Sequence, residues 1–197
     1  DMAITNDGVV YFTADSESAA KGIWRSANGT DWTNILPTDT FPMNFDKIVI
    51  AINPSNENEV YFLGSTPGAG QHTEAFFGYE DWNSLWKYTY LIDDGAGNNG
   101  VWENLSSNIP NDGLPFDNFY TQASYNMMIA VSPHNPNTII IGATNLYLST
   151  DGFTSKNNTN HIGGYWEGSH LPSGYWGSYL NHHPDQHSLV FLNSTPT

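Results

Sequence analysis

Short apolar runs, each closed by Gly, Pro, Asn or Asp, recur from one end of this chain to the other. In "GIWRSANGTDWTNILP" (residues 22–37), Gly22 to Arg25 reads as a strand and Trp32 to Leu36 as its return, with Ser26, Asn28 and Gly29 between them. Runs rich in β-branched and aromatic residues, bounded by turn formers, predict strands joined by hairpins. Two longer stretches align without gaps at their starts. "IVIAINPSNENEVYFLG" (48–64) matches "MMIAVSPHNPNTIIIG" (127–142), pairing Ala51 with Ala130, Pro54 with Pro133, Asn56 with Asn135 and Asn58 with Asn137, 79 residues apart. In both, an apolar strand runs into a Pro/Asn turn and then a second β-rich strand. Pro fixes φ and Asn tolerates positive φ, so the turn has a mechanism.

The rest of the unit repeats as well. "DWTNILP" (31–37) returns as "VWENLSSNIP" (101–110), and "LYLSTDGFTS" (146–155) repeats the Ser-x-Asn/Asp-Gly hairpin of residues 23–32. "HSLVFLNSTPT" (187–197) begins another copy, and "DGVVYFTAD" (7–15) looks like the second strand of an earlier one. Four antiparallel strands recurring at roughly 60–80-residue intervals predict an all-β fold of propeller blades with long inserted loops. The expected divisions are 1–40, the end of a first blade; 41–120, a second blade with a long aromatic insertion; 121–180, a third blade with an aromatic loop; and 181–197, the first strand of a further blade. That makes about two full blades with partial ones at each end, an arc of a larger propeller, since closure takes roughly 4–8 blades. Asp1 stands where an initiator Met would. The expectation is accordingly a processed or excerpted piece of a longer polypeptide.

The turn residues resemble those of the Asp-box (BNR) β-propeller family, whose motif runs Ser-x-Asp-x-Gly-x-Thr-Trp and which includes sortilin-like receptors, xyloglucanase-like glycoside hydrolases and many exported bacterial proteins. Ser26, Asn28, Gly29 and Trp32 match in a form one residue short; Ser149, Asp151 and Gly152 match a second time, with Phe153 at the usual Gly. The middle blade replaces the box with the Asp/Gly/Asn loop of residues 91–100. The resemblance implies a propeller and a structural role for these boxes. It also implies a secreted or cell-surface location.

Composition narrows the partners. The chain has 197 residues, 5 Lys and Arg against 20 Asp and Glu, and a formal net charge of −15, which repels a phosphate backbone and argues against nucleic acid. With 0 Cys, disulfides, thiolate metal sites and Cys nucleophiles are excluded. No apolar run reaches the roughly 20 residues of a helical membrane span, so direct membrane insertion is not expected.

Candidate chemistry concentrates in two places. In "NHHPDQHSLVF" (181–191) the alternating His183, Asp185 and His187 lead into an apolar run and form a candidate divalent-cation site, the one cofactor expected. The alternative is that they fix the strand's start by hydrogen bonds to backbone. "HIGGYWEGSHLPSGYWGSYL" (161–180) carries Tyr165, Trp166, Tyr175 and Trp176, flat rings suited to stacking on sugars, and Glu167, which could accept sugar hydroxyls. "QHTEAFFGYEDWNSLW" (71–86) is a second aromatic insertion, expected in an equivalent location one blade earlier, with Trp82 as its ligand-facing ring and a short helix over 81–86.

Glu74, Glu80, Asp81, Glu167 and Asp185 are the carboxylates to consider for glycoside hydrolysis, which needs a pair across a cleft, with Asp185 and Glu167 put forward first. Arg25 is the chain's single Arg, which argues against the Arg triad of a sialidase. The function expected is a binding module for protein or polysaccharide. Its further partners are the remainder of the propeller and an outer-membrane secretion machinery that exports it as cargo. The alternative is a glycoside hydrolase of the Asp-box type acting on a plant or algal polysaccharide.

Overall fold

The computed structural model describes residues 1–74, 78–111, 119–170, 176–178 and 185–192. Among the described residues the regular elements are strands, with only short 3-10 turns besides. The first sheet is a meander of β1 (Met2–Ile4), β2 (Val10–Ala14), β3 (Gly22–Ser26) and β4 (Thr33–Asn34). The middle sheet holds β5 (Ile48–Ile52), β6 (Glu59–Ser65), β7 (Gln71–Glu74), β8 (Glu80–Tyr90) and β9 (Gly100–Asn104). The third is the meander β10 (Met128–Val131), β11 (Ile139–Gly142), β12 (Leu146–Ser149) and β13 (Thr159–Gly163). A hairpin of β14 (Tyr165–His170) and β15 (Trp176–Ser178) follows. The fold is therefore all-β, built of antiparallel sheets, of which the first and third have four strands and the middle one five.

The first sheet has four strands where the sequence leads one to expect only the end of a blade. Its first strand, β1, is three residues long and shows no readable period. The helix expected over 81–86 is instead the start of the 11-residue β8. Asp81 and Asn83 are buried and alternate with Leu85 along one face of the strand. The first part of β8 pairs with β7 (Gln71↔Asn83) and the last part with β9 (Tyr90↔Gly100), so one long strand serves two neighbours on the same edge.

The middle sheet is enclosed on both faces. Val49, Ala51, Tyr61, Leu63 and Leu85 pack towards Ile129, Ile139, Ile141 and Tyr147 of the third sheet. Their alternates Ile48, Ile50, Val60, Phe62, Trp86 and Tyr88 pack towards Tyr11, Ile23 and Ile35 of the first. Burial on both faces explains why β6 reads as the unbroken run Val60-Tyr61-Phe62-Leu63 rather than as an apolar/polar alternation. The link between the first two sheets adds Phe41 and Phe45; Phe41 lies 5.3 Å from the Trp86 ring.

The 79-residue repeat returns as a repeated hydrogen-bond scheme. Asn53 N donates to Glu59 O and Glu59 N to Asn56 O, both at 2.9 Å; 79 residues on, Ser132 N donates to Thr138 O and Thr138 N to Asn135 O, again at 2.9 Å. The outer strands match similarly: Ile35 N donates to Ile23 O and Leu105 N to Leu85 O, both at 2.8 Å.

The two boxes are turns tied by their own side chains. Asn28 Oδ1 accepts from Thr30 N at 2.9 Å and Asp31 N at 2.8 Å, and Gly29 N donates to Ser26 Oγ at 2.9 Å. Gly29 and Gly152 sit at φ +76° and +71°, where a side chain would be strained. Trp32 packs edge-on against Phe12 at 6.3 Å. In the second box Ser149 Oγ donates to Asp151 Oδ1 at 2.9 Å, while Ser155 Oγ and Asn158 Nδ2 donate to Asp151 Oδ2 at 2.8 and 2.9 Å. Phe153 adopts φ +59° with its ring fully buried, so packing secures a conformation that glycine would take freely.

Burial works to raise the Asp151 carboxyl, but donors from Asn158, Ser155, Ser149 and Thr154 outweigh it and hold it well below the usual range. A depressed folded value means that the turn's contribution is complete above about pH 4 and is lost as pH falls through the folded value. Thermal melts of Asp151→Ala are therefore expected to show a weaker decline below about pH 4 than the parent. Parallel declines would contradict the assignment.

Candidate functional site

Strand register fixes which loops share an end. β5 begins opposite the end of β6, and β6 ends opposite the start of β8 (Ile48↔Gly64, Ser65↔Asn83). The β7–β8 hairpin therefore projects from the end at which β5 starts, called the upper end below. In the third sheet β10 starts, β12 starts and β13 finishes at that end (Met128↔Gly142↔Leu146↔Gly163), so β14 and β15 follow from there too. The Pro/Asn turns and both boxes lie at the opposite end.

The two aromatic insertions thus share an end but not a connection. One lies between the second and third strands of its sheet, the other after a fourth strand. The expected equivalence is corrected accordingly.

The lead-ins to β5 and β10 meet at the upper end. Residues Asp1, Lys47, Val49, Met128, His187 and Leu189 help line one cavity of about 410 Å³, which brings β5, β10 and the segment 185–192 alongside the start of the chain. Gln186 N donates to Ala143 O at 3.1 Å. Gly142 permits this passage, because a Cβ there would stand 2.9 Å from Gln186 Cβ and 2.7 Å from Met128 Cγ.

A buried carboxylate shapes the approach to β10. Asp81 Oδ2 accepts from Thr121 N at 2.6 Å and from the Thr121 hydroxyl. Gln122, Ala123 and Ser124 follow with φ of 54°, 53° and 69°, three left-handed non-glycine residues in succession. Such positions cost on the order of 1 kcal/mol each and persist only when surroundings fix them. The turn presents exposed Tyr125, whose ring meets His187 edge-on at 5.0 Å, and Asn126, whose Nδ2 donates to Asp185 Oδ1 at 3.0 Å.

On the β7–β8 hairpin Trp82 is half-buried and stacks with His72, which stands opposite it in register, at 4.5 Å between centroids and 37° between planes. Glu80 Oε2 approaches His72 Nε2 at 3.7 Å, and Tyr79 is exposed beside them.

Of the residues singled out in the sequence, Trp82, Asp185 and His187 therefore belong to the upper end. Tyr165, Trp166 and Glu167 lie on β14 and Trp176 on β15, strands that leave from the same end. Tyr175 and His183 lie outside the described residues, and among the described residues no group of three or more His, Cys, Asp or Glu is placed to hold a metal. Arg25 is buried between the first two sheets, its guanidinium 4.0 Å over the Tyr90 ring. His72, Tyr79, Thr121 and Tyr125 carried no signal in the sequence, where Asp81 stood only as a candidate hydrolytic carboxylate. The mark of its burial is the alternate-residue spacing of Asp81, Asn83 and Leu85.

Geometry defines an all-β protein of stacked antiparallel sheets of four and five strands, with loop chemistry gathered at one end. No family model matches the chain, and no curated protein matches it significantly. Among solved structures it is similar to the GH74 enzyme of Niastella koreensis, with 16% identity over 96% of this chain and a TM-score of 0.46. The chain spans 30% of that protein's length.

Proposed function

We propose that the three sheets form consecutive blades of a β-propeller whose upper end binds polysaccharide. Support for the propeller comes from the middle sheet's burial on both faces and from the convergence of inner-strand starts on one cavity. The single observation that carries the binding reading is that both aromatic hairpins, β7–β8 and β14–β15, rise from the same end. Aromatic faces stack on the C–H faces of sugar rings, and the Trp82–His72 pair supplies such a face. The net charge of −15 favours neutral over anionic glycans. In this reading the protein is exported to the cell surface or beyond, with the remainder of the propeller and a secretion machinery as its protein partners.

Calorimetric titration against soluble neutral plant polysaccharides tests it. Trp82→Ala is expected to weaken binding about tenfold, a loss of about 1.4 kcal/mol, while leaving the melting temperature within a few degrees. Absence of binding to every glycan, or a variant that binds like the parent, would retire the reading. The glycoside hydrolase reading draws on Asp185, which stands at the same end within reach of Asn126. It predicts release of reducing ends that disappears in Asp185→Asn.

A further inference from the structure

Across the first sheet Met2 stands opposite Phe12, Phe12 opposite Trp24 and Trp24 opposite Asn34. Across the middle sheet Ile50, Phe62, Trp86 and Asn104 stand in the same relation. Two residues before each asparagine lies a tryptophan, Trp32 in one and Trp102 in the other. An apolar–Phe–Trp–Trp row thus occupies the same face of both sheets.

In the middle sheet the row is covered. Phe62 is 0% and Trp86 3% exposed, beneath Tyr11, Ile23 and Ile35 of the first sheet and Phe41 and Phe45 of the link. In the first sheet the corresponding row, with Met2 in place of Ile50, is open at both ends: Met2 is 62% and Trp32 40% exposed, while Phe12 and Trp24 between them are half-buried. Met2, Phe12, Ala20, Trp24 and Trp32 line an apolar groove of about 430 Å³. Isolated exposed apolar residues need no explanation, but a contiguous row that is buried wherever a neighbour exists marks a seat.

The geometry points to one occupant: a further four-stranded sheet of this repeat, from the same polypeptide, seated on Met2, Phe12, Trp24 and Trp32 as the first sheet sits on Ile50, Phe62, Trp86 and Trp102. This rests on the propeller reading and adds to it the identity of the contact. The covering face carries a Tyr on its second strand and aliphatic residues on its third and fourth, as Tyr11, Ile23 and Ile35 do. The link that leads from it supplies two Phe-like rings, the counterparts of Phe41 and Phe45.

Hydroxyl-radical footprinting read by mass spectrometry tests the proposal, on residues 1–197 alone and on the polypeptide as its host makes it, each at two concentrations. In residues 1–197, Trp24 and Trp32 are expected to be oxidised at least several-fold faster than Trp86. In the natural polypeptide they are expected to slow to the Trp86 rate, independently of concentration. Fast oxidation of Trp24 and Trp32 in the natural polypeptide would overturn the proposal. So would protection in residues 1–197 that grows with concentration, since a second copy would then be the occupant. Glycan binding is read at Trp82, at the upper end of another sheet. Its failure would leave the labelling pattern unchanged.

Discussion

Phe62→Ala is expected to cost about 3–5 kcal/mol, whereas Phe12→Ala, at the same place in the preceding sheet, is expected to cost about 1 kcal/mol or less. The two rings share register and neighbours in kind, so the difference isolates the covering layer. Phe62 is enclosed, with Trp102 at 5.3 Å and Tyr11 at 6.4 Å between centroids. Truncation leaves a cavity between packed sheets that neither can collapse into. Phe12 meets Trp32 at 6.3 Å but lies on the open groove, where solvent fills the space left by the ring. Because a domain's whole stability is about 5–15 kcal/mol, the first substitution removes a large share of it. Denaturant titration of both variants decides the matter. Equal losses would mean that the two faces are equally covered, contrary to the packing described here.

Asp81→Ala is expected to cost about 2–4 kcal/mol and to loosen the approach to β10 first. The substitution strands two buried donors, the amide and hydroxyl of Thr121, and removes the anchor of three left-handed residues. Amide exchange over 121–126 should accelerate well before the sheets open. Asp81→Asn keeps an acceptor oxygen and should recover part of the loss.

The pH dependence at Asp81 runs opposite to that of Asp151. Burial pushes the Asp81 carboxyl above the usual range, with bonds from Thr121 acting against it. A raised folded value means that the unfolded chain ionises first, so this group's contribution falls as pH rises from the usual carboxylate value through the folded one. In Asp81→Asn that segment of the stability curve should flatten. An unchanged profile would place the titration elsewhere.

Much of this architecture was legible because repetition is visible in residue types. Pro54, Asn56 and Asn58 recur as Pro133, Asn135 and Asn137, and the two turns share hydrogen bonds as well as letters. The Ser-x-Asn/Asp-Gly turns were equally readable, since each residue there has a local job. Long-range matters were hidden. Nothing in "EDWN" (80–83) says that the Asp81 carboxylate folds inward onto Thr121, 40 residues away, and the expectation there was a short helix instead of a strand. Tyr125 and Asn126 gave no signal either, because their roles depend on a strained turn and on Asp185 arriving 59 residues later. The aromatic insertions announced themselves by composition. Their common end followed only once strand register was known.

In a propeller, successive sheets lean face to face around one axis. A density map of the natural polypeptide, at a resolution that separates strands, tests this arrangement most directly. It should show β1, β5 and β10 as the innermost strands of adjacent sheets, with the Val49 face of the middle sheet against Ile139 and the Phe62 face against Tyr11. A two-layer sandwich in which the middle sheet has one face in water would contradict it.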